Sequence, residues 1–414
     1  FLLCFVTFSL LAQIQSGPMV GYSDMREVLL WVQTKQPAKV KFVYWEQGNM
    51  AQKWSTDETL TAKNTAFIAR LIADQVQPGK KYDYEVWVDG KKVAITYPLS
   101  FQSQTLWQWR TDPPALKFAF GSCTYVNDAP YDRPSAYGGD YEIFKSIVSQ
   151  KPDFMVWGGD NVYTREPDWN TRTGVLLGSV HHYAICDDHD YGTNDSDRSF
   201  AHKNVTSEAF RLFWGNPNYI FEGACTGTFE WSDAQFFMLD DRWFRAPNNR
   251  ADDRTYFGEA QINWLIDALT NSKASFKFIV TGGQVINTAA VYENYAIYGE
   301  ERARFLQKIA DAKIPGVIFL TGDRHHTALH KLDRFGTYPL YDFTISPLTS
   351  GAGKPIDAEK SATTFVEGTV VGNTRNFGLF EITGPAKERV LKVTVFNAQN
   401  QPLWTREIKS NELK

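Results

Sequence analysis

The chain has 414 residues, enough for two domains, and its 43% hydrophobic and 22% charged residues are the balance of an ordinary globular protein. Its formal net charge of -4 comes without a basic block or stripe, so no nucleic-acid binding is expected beyond a possible substrate. Aromatic residues reach 15%, with 13 Trp, which favours a β-rich core over stacking sites for sugars or nucleotides.

The first eleven residues, FLLCFVTFSLL, are almost wholly apolar and are followed by the polar stretch AQIQSGP. Such a run is too short to span a bilayer but has the length of the apolar region of a signal peptide. We therefore expect residues 1–13 to be a truncated signal peptide, cleaved near Ala12 or Gln13, and the protein to be exported to the periplasm or the cell exterior. The alternative is a buried first strand. No later segment has eighteen consecutive apolar residues, so no stable membrane insertion is expected.

The four cysteines fit export only loosely. With Cys4 in the predicted leader, Cys123, Cys186 and Cys225 remain, and this odd number requires that one be free, pair between chains or hold a metal. Cys186 and Cys225 are candidates for a disulfide, although nothing in the sequence places them near each other.

Residues 18–108 are predicted to form a small all-β sandwich of the immunoglobulin or fibronectin type. EVLLWVQT and KVKFVYWE are typical of short strands, and KYDYEVWVDGKKVAITY is typical of a hairpin that turns at Asp89-Gly90. In its first strand, alternate residues from Tyr82 to Val88 are expected to share one face. The proline-marked stretch WRTDPPALK then predicts a linker. From residue 115 to residue 414, strands alternate with helical segments such as EAQINWLIDALTNSK, which indicates an α/β domain.

Six apolar runs of this second domain end in polar or metal-binding residues. They are FAF before Gly121-Ser122-Cys123, FMVW before GGDNVY, HHYAIC before Asp187 to Asp190, FFML before Asp240 to Arg242, FKFIV before TGGQVIN, and GVIFL before Asp323 to His326. Because the carboxyl ends of strands in an α/β fold lie at one edge of the sheet, we expect these loops to converge.

The residue types in these loops are those that bind borderline and hard metal ions, and a shared carboxylate can bridge two of them. Two neighbouring metals can clamp a phosphate ester and activate a water molecule for in-line attack. A single Asp after a strand is most often a helix cap, but four successive loops with such residues favour a metal site.

The motifs GSC, GGDNVY, DDHD and TGDRHH, in this order behind strands, resemble those of the calcineurin-like metallophosphoesterase superfamily, and especially its alkaline phosphatase D, or PhoD-like, family. GSC replaces the usual Asp-x-His motif of the superfamily, and LDDRWFR followed by GEAQINWL is also similar to this family. The resemblance covers most of the chain, since PhoD-like proteins also have an N-terminal β-sandwich. It implies a four-layer α/β/β/α metallophosphatase domain.

The resemblance also implies a binuclear centre. The first metal, Fe³⁺ in the family, would be held by Cys123, Asp160, Tyr163 and His325. The second, Ca²⁺ with Zn²⁺ or Mn²⁺ as alternatives, would share Asp160 and be held by Asp188 and Asp323, because oxygen-only ligation favours calcium. Where relatives usually have a metal-binding histidine, VTGGQVIN offers Gln284, which we expect to contact the second metal or the phosphate through its amide oxygen. Asp187 is interpreted as structural.

His189 matches a histidine of the superfamily that lies near the leaving group. The resemblance implies that it stabilises the phosphoryl group or protonates the leaving oxygen, with Asp190 orienting its ring. The side chains expected to meet the phosphate oxygens are Asn161, Arg165, Arg242 and Arg324. The second histidine of TGDRHH, His326, falls outside the motif, either facing substrate or only packing.

The sequence thus predicts an exported hydrolase of a phosphate-ester small molecule or polymer, in which a metal-bridging hydroxide attacks phosphorus in line. The first alternative is a phosphodiesterase or phospholipase D-type hydrolase that uses the same site. The second is a secreted glycan-binding protein with an inactive site, against which the intact ligand set argues.

Overall fold

The computed structural model describes residues 13–107, 110–125, 127, 136–161, 163 and 171–414. Most of the predicted signal peptide, residues 1–12, and the predicted phosphate contact Arg165 lie outside the described residues. None of the helices in the described ranges has the length and apolar character that a bilayer span requires.

Strands dominate the described part of the chain. In order they are β1 (Ile14–Ser23), β2 (Val28–Thr34), β3 (Lys39–Glu46), β4 (Trp54–Ser55), β5 (Thr59–Leu60), β6 (Ile68–Ala73), β7 (Lys81–Val88), β8 (Lys91–Lys92), β9 (Ser100–Gln102), β10 (Leu116–Gly121), β11 (Phe154–Gly158), β12 (His181–Ile185), β13 (Gly227–Trp231), β14 (Ala234–Met238), β15 (Phe276–Thr281), β16 (Val317–Thr321), β17 (Ala328–Leu332), β18 (Leu340–Thr344), β19 (Asn376–Thr383), β20 (Val390–Asn397) and β21 (Pro402–Lys409).

The α-helices are α1 (Glu142–Ser149), α2 (Thr171–Leu177), α3 (Asp188–Tyr191), α4 (Lys203–Phe213), α5 (Glu259–Asn271), α6 (Gly299–Asp311) and α7 (Asp357–Lys360). Short 3₁₀ turns cover Lys63–Thr65, Tyr295–Tyr298 and Ser410–Glu412.

The chain divides into two compact units. Unit 1 comprises Phe1–Leu106, Trp169–His182 and Leu212–Gly215, and unit 2 comprises the remainder. The two later segments of unit 1 are ones that the sequence pattern did not assign to the N-terminal domain.

Unit 1 contains two antiparallel sets of strands around one hydrophobic core. β1, β2 and β6 form one set, and β3 pairs with β7 in the other. The core includes Leu30 and Leu71 from the first set and Phe42 and Val86 from the second. Alternate side chains of β7 are buried, as the sequence pattern predicted, because successive strand residues point to opposite faces.

The turn after β7 also follows the prediction. Asp89 and Gly90 have φ angles of +47° and +72°. A type I′ hairpin turn needs positive φ at both central residues, and the Asp-Gly pair meets this requirement at little cost.

Unit 2 contains two sheets, with strand orders β21-β20-β19-β10-β11-β12 and β13-β14-β15-β16-β18-β17. Aromatic rings join them, because Phe118 of β10 lies 5.0 Å from Phe236 of β14 and 5.2 Å from Phe278 of β15 between ring centroids. Helix α1 packs on the first sheet through Phe144 and Trp157, whose ring centroids are 5.9 Å apart. Helix α6 packs on the second through Phe305, which contacts the ring of Phe319 in β16.

Parallel pairing fixes where the loops of unit 2 meet. β10 and β11 are parallel, and so are β14, β15, β16 and β18 in sequence. The carboxyl ends of each parallel set therefore lie at one edge, where ligand sites form in α/β folds.

Candidate metal centre

Several predicted metal ligands have an unusual backbone conformation in common. Cys123, Asp160, Tyr163, Asp323 and His325 all have positive φ, between +46° and +61°. This left-handed region is costly for residues with a side chain, and such strain is concentrated at functional sites. The surrounding structure therefore holds these residues of the loops after β10, β11 and β16 in an unfavourable backbone conformation.

Three of these side chains meet in one donor group. Cys123 Sγ, a carboxylate oxygen of Asp160 and a ring nitrogen of His325 lie within 4.8 Å of one another. The Tyr163 hydroxyl lies 3.0 Å from Asp160 Oδ2 and 3.3 Å from His325 Nε2, so all four residues predicted for the first metal come together.

The surroundings of His325 decide which of its nitrogens is available. Its Nδ1 lies 2.7 Å from the Gly351 carbonyl oxygen, which can only accept a hydrogen bond. Nδ1 therefore carries the proton, and the lone pair of Nε2 faces the donor group. A backbone carbonyl bonded to the far nitrogen is the usual way in which proteins orient a metal-binding histidine.

Asp160 belongs to a second donor group as well, formed with Asp188 and His189. It is 1% exposed, and its Oδ1 has no hydrogen-bond partner among the described residues. Because an unpaired buried carboxylate oxygen is unfavourable, this atom is placed as a cation ligand would be. Asp160 is therefore the residue that these two donor groups have in common.

The protonation of the centre also fits a bound cation. Burial and the neighbouring Asp188 raise the pKa of Asp160 well above its usual value, and burial raises the pKa of the Cys123 thiol to about 12. Burial likewise raises the pKa of the Tyr163 hydroxyl. A cation would reverse these shifts, since metal binding is coupled to the release of protons from its ligands. The residues present therefore fit a metal centre.

Asp188 is presented by the short helix α3, which Asp187 caps at its N-terminus. Asp187 Oδ1 accepts from the backbone N–H of Asp188 over 2.9 Å, while Asp188 accepts from the backbone N–H groups of His189 and Asp195, each over 2.8 Å. Gly159 (φ +92°) has no room for a side chain, because an added Cβ would overlap Asp187.

Sequence reasoning missed Glu293, whose carboxylate forms a third close group with Asp187 and Asp188. The loop that carries it showed no motif. Asp323, the remaining predicted ligand of the second metal, is in none of the close groups among the described residues. It still belongs to the same electrostatic environment, because burial and then Glu293 raise its pKa to about 7.

Gln284, which is predicted to contact the second metal or the phosphate, bonds to neighbouring residues of the protein. Its side chain is fully buried, its amide nitrogen donates to Thr344 over 3.0 Å, and its amide oxygen accepts from Asn287 over 2.7 Å. Both ends of the amide are therefore bonded within the protein, which does not favour contact of its oxygen with a metal or a phosphate.

Arg242 is also not available to substrate, contrary to the prediction. It is fully buried, and its guanidinium donates to Asp187, to Glu293 and to the backbone of Ser196. Burial alone would raise the pKa of Glu293, but Arg242 and Arg245 lower it to about 2. These residues form an internal ion-pair cluster beside α3.

Asn161 and Asp190 bond to each other and not to the groups expected. The Asn161 amide donates to Ile185 O over 2.8 Å and to Asp190 Oδ2 over 3.2 Å, so its N–H groups are not free for phosphate. Asp190 also accepts from the backbone N–H of Asp187 over 3.1 Å, and within the described residues it has no hydrogen bond to the His189 ring. The predicted role of Asp190 in orienting His189 is therefore corrected.

Among the described residues, Arg324 is the predicted phosphate contact that keeps a reachable charge. The side chain of Arg324 is 10% exposed, donates to Glu359 Oε1 from Nε and Nη2, and stacks over Tyr292 at 3.9 Å. Its neighbour His326 is buried, and its Nδ1 lies 2.8 Å from the Arg324 carbonyl oxygen.

Comparison with known proteins supports the same interpretation. Residues 222–390 match the model of the PhoD-like phosphatase family, and residues 11–106 match a domain of unknown function, DUF7800. A solved structure of PhoD aligns with a TM-score of 0.75 and 16% identity, over 96% of this chain and 92% of that one. A search of the curated proteins found no match.

Two other solved structures are similar only at a low level. The sensor domain of the anti-sigma factor RsgI4 from Pseudobacteroides cellulosolvens has 12% identity and a TM-score of 0.18, with 22% of this chain and 93% of that one covered. A Vps29 mutant from Entamoeba histolytica has 7% identity and a TM-score of 0.28, with 71% and 99% covered. Both TM-scores are too low to indicate a shared fold.

The described residues have the fold of the solved PhoD structure and bring metal-binding side chains together, and residues 222–390 match a phosphatase family model. Over residues 222–390, the predicted resemblance to the PhoD-like phosphatase family is confirmed.

Proposed function

We propose that the protein is an exported, metal-dependent hydrolase of phosphate esters with a binuclear centre around Asp160, in a four-layer α/β/β/α domain. The observation that carries this proposal is the position of Asp160. Its carboxylate takes part in two donor groups, and its buried Oδ1 has no hydrogen-bond partner among the described residues. A carboxylate in this position is suited to bridging two cations.

The two donor groups differ in chemistry, and this favours different metals. Cys123, Asp160, Tyr163 and His325 combine sulfur, phenol, carboxylate and imidazole donors, which suit Fe³⁺. Asp160 and Asp188 offer oxygen donors for Ca²⁺, with Asp323 or Glu293 nearby and Zn²⁺ or Mn²⁺ as alternatives. When bound, such a metal pair would supply a Lewis acid for the phosphate and an activated water as nucleophile.

The remaining residues orient the ligands and the substrate. Ser346 Oγ donates to Cys123 Sγ over 3.2 Å, which holds the sulfur toward Asp160. The His189 ring lies against the Tyr163 ring, with centroids 4.2 Å apart, at the edge of both donor groups. There it can donate a proton to a leaving oxygen, or serve as a further ligand, since it also belongs to the group of Asp160 and Asp188.

Arg324 is the side chain that we assign to the phosphate oxygens. Glu359 holds two of its donors, and the ring of Tyr292 covers its face, so the guanidinium is fixed in direction. A pre-oriented guanidinium binds phosphate with little further loss of freedom.

The test combines metal analysis with turnover. The purified protein should contain one or two metal ions per chain, lose hydrolysis of p-nitrophenyl phosphate or its bis ester on chelation, and recover it with iron and calcium. Asp160→Asn should lose metal and turnover together, whereas Asp267→Asn, on the outer helix α5, should keep both. A protein that binds less than about one metal ion per chain, or hydrolyses neither ester after reconstitution, contradicts the proposal.

Relative rates on the two esters separate the alternatives. Faster hydrolysis of the bis ester indicates a phosphodiesterase, and faster hydrolysis of the monoester indicates a phosphatase. Glycan binding without hydrolysis of either ester would instead support the secreted binding protein.

Export is proposed from the apolar composition of residues 1–11. N-terminal sequencing of the secreted or periplasmic protein should find a start near Gln13. Recovery of the intact leader from the cytoplasm contradicts export without affecting the enzymatic proposal.

A further inference from the structure

A second cluster of buried side chains lies in unit 2 beside the metal centre. Cys186 directly follows β12, Cys225 lies two residues before β13, and Asp240 lies two residues after β14. One ligand atom from each lies within 4.8 Å of the others, and both cysteines are 1% exposed. Both cysteines are reduced in this structure.

We propose that Cys186 and Cys225 form a disulfide under oxidising conditions and that this bond fixes the loop that carries Asp188 and His189. A disulfide needs the two sulfurs at about 2.05 Å, and small side-chain rotations can close the remaining separation. The bond would close a loop of about 40 residues, from residue 186 to residue 225, that includes the whole of α3.

The backbones on both sides are held in place for such a bond. On the Cys225 side, Asp240 Oδ2 accepts from the Cys225 backbone N–H over 2.8 Å, and Gln261 bonds to both Thr226 and Asp240. On the Cys186 side, Asn216 exchanges two hydrogen bonds with the backbone of Ala184, over 2.9 and 2.6 Å. These hydrogen bonds keep the two thiols close together, so the chain does not have to bring distant segments together to form the bond.

The hydrogen bonds of Asp240 favour a disulfide between the cysteines over a third metal site. Its Oδ2 accepts from Cys225, and its Oδ1 accepts from the backbone N–H groups of Arg242 and Trp243, over 2.9 and 2.8 Å. Three backbone N–H groups thus bond to Asp240, compared with two for Asp188, so its carboxylate has less capacity left to bind a cation. Two adjacent thiols are what bond formation requires.

The reaction is a thiol–disulfide exchange with a low-molecular-weight disulfide such as glutathione disulfide. Each protein sulfur loses its hydrogen, one S–S bond forms between them, and the reagent's S–S bond breaks to leave two thiols that carry the two protons and two electrons. Because both sulfurs are buried, we expect the exchange to take place while the chain folds or opens locally.

Peptide mapping tests the bond without any substitution. Denatured, reduced protein is refolded in glutathione buffers of differing ratio, alkylated, digested and analysed by mass spectrometry. Oxidising buffers should give one cross-linked peptide pair containing Cys186 and Cys225, about 2 Da lighter than the two thiol peptides, while the Cys123 peptide remains alkylated. Two alkylated thiols at 186 and 225 in every buffer overturn the proposal.

Thermal melting gives a second readout. The oxidised protein should melt about 5 to 10 °C higher than the reduced protein, and Cys186→Ser and Cys225→Ser should each abolish this redox dependence. Zinc bound in proportion to protein and lost in Cys225→Ser would show a metal site in place of a disulfide. Because turnover on phosphate esters is not measured, the outcome is independent of the proposed function.

Discussion

Arg242 Nε donates a hydrogen bond of 2.6 Å to Asp187 Oδ1, and neither side chain has any exposed surface. Asp187 in turn caps helix α3, whose first residue is Asp188. The guanidinium also pairs with Glu293, which forms a close group with the same two aspartates. Arg242 therefore joins two carboxylates at one edge of the candidate centre, Asp187 and Glu293, and it acts on the metal ligands through Asp187.

Replacing Arg242 should destabilise the protein more than most single substitutions. Arg242→Met leaves Asp187 buried without its counter-charge, so the free energy of unfolding should fall by about 3 to 5 kcal/mol. Urea unfolding of the metal-free protein measures this change. Arg250→Met is the control, because Arg250 pairs with Asp252 at the surface and should change stability by less than about 1 kcal/mol. Equal effects of the two substitutions would contradict the role of Arg242.

Substitution of His189 should lower turnover and leave the metal content of the protein unchanged. His189→Gln removes the proton donor beside Tyr163, and kcat should fall by about 10²- to 10⁴-fold while both metals remain. Metal analysis of the same preparation is the necessary measurement, because His189 also lies in the donor group of Asp160 and Asp188. Loss of one metal would show that His189 is a ligand.

Gln284 should be a structural residue. Gln284→Leu removes hydrogen bonds to Thr344 and Asn287, and should cost about 1 to 3 kcal/mol of stability because these partners stay buried. The metal content and kcat of the folded variant should equal those of the parent. A drop in metal content with unchanged stability would instead restore Gln284 as a ligand.

Low pH should lower the free energy of unfolding of unit 1, because two of its buried histidines gain a proton more readily in the unfolded chain. Burial lowers the pKa of His181 to about 4 and of His182 to about 3. Since both values lie below the unfolded value of about 6.5, the neutral rings contribute stability fully above pH 6.5, and this is lost as the pH falls toward 4. For His181 alone the loss amounts to about 3 kcal/mol.

Urea unfolding of metal-free protein at about pH 7 and about pH 4.5 measures this dependence. His181→Gln should lose less stability between the two pH values than the parent, because Gln can still bond to Gly21 O and to the Gln102 N–H but does not titrate. His202→Gln changes an exposed ring and serves as the control. An unchanged pH dependence in His181→Gln would contradict the assignment.

The sequence alone determined the chemical content of the candidate centre. Cys123, Asp160 and His325 each follow an apolar run, and runs of this kind become parallel strands whose ends meet at one edge. Chelating residues placed directly after such strands therefore meet whatever the loops between them do. The same local logic gave the Asp89-Gly90 turn and the alternation in β7, because both depend only on neighbouring residues.

Only the tertiary structure decided which polar residues are free to bind a ligand. Gln284 and Arg242 are suitable in type to bind a ligand, but they bond to partners distant in sequence, Thr344 and Glu293. The amide N–H groups of Asn161 likewise bond to Ile185 and Asp190. The closeness of Cys186 to Cys225 is of the same kind. The sequence specifies which side chains are able to bind a ligand. Packing decides which of these side chains are instead hydrogen-bonded within the protein, because a buried polar group pairs with whatever partner the fold places beside it.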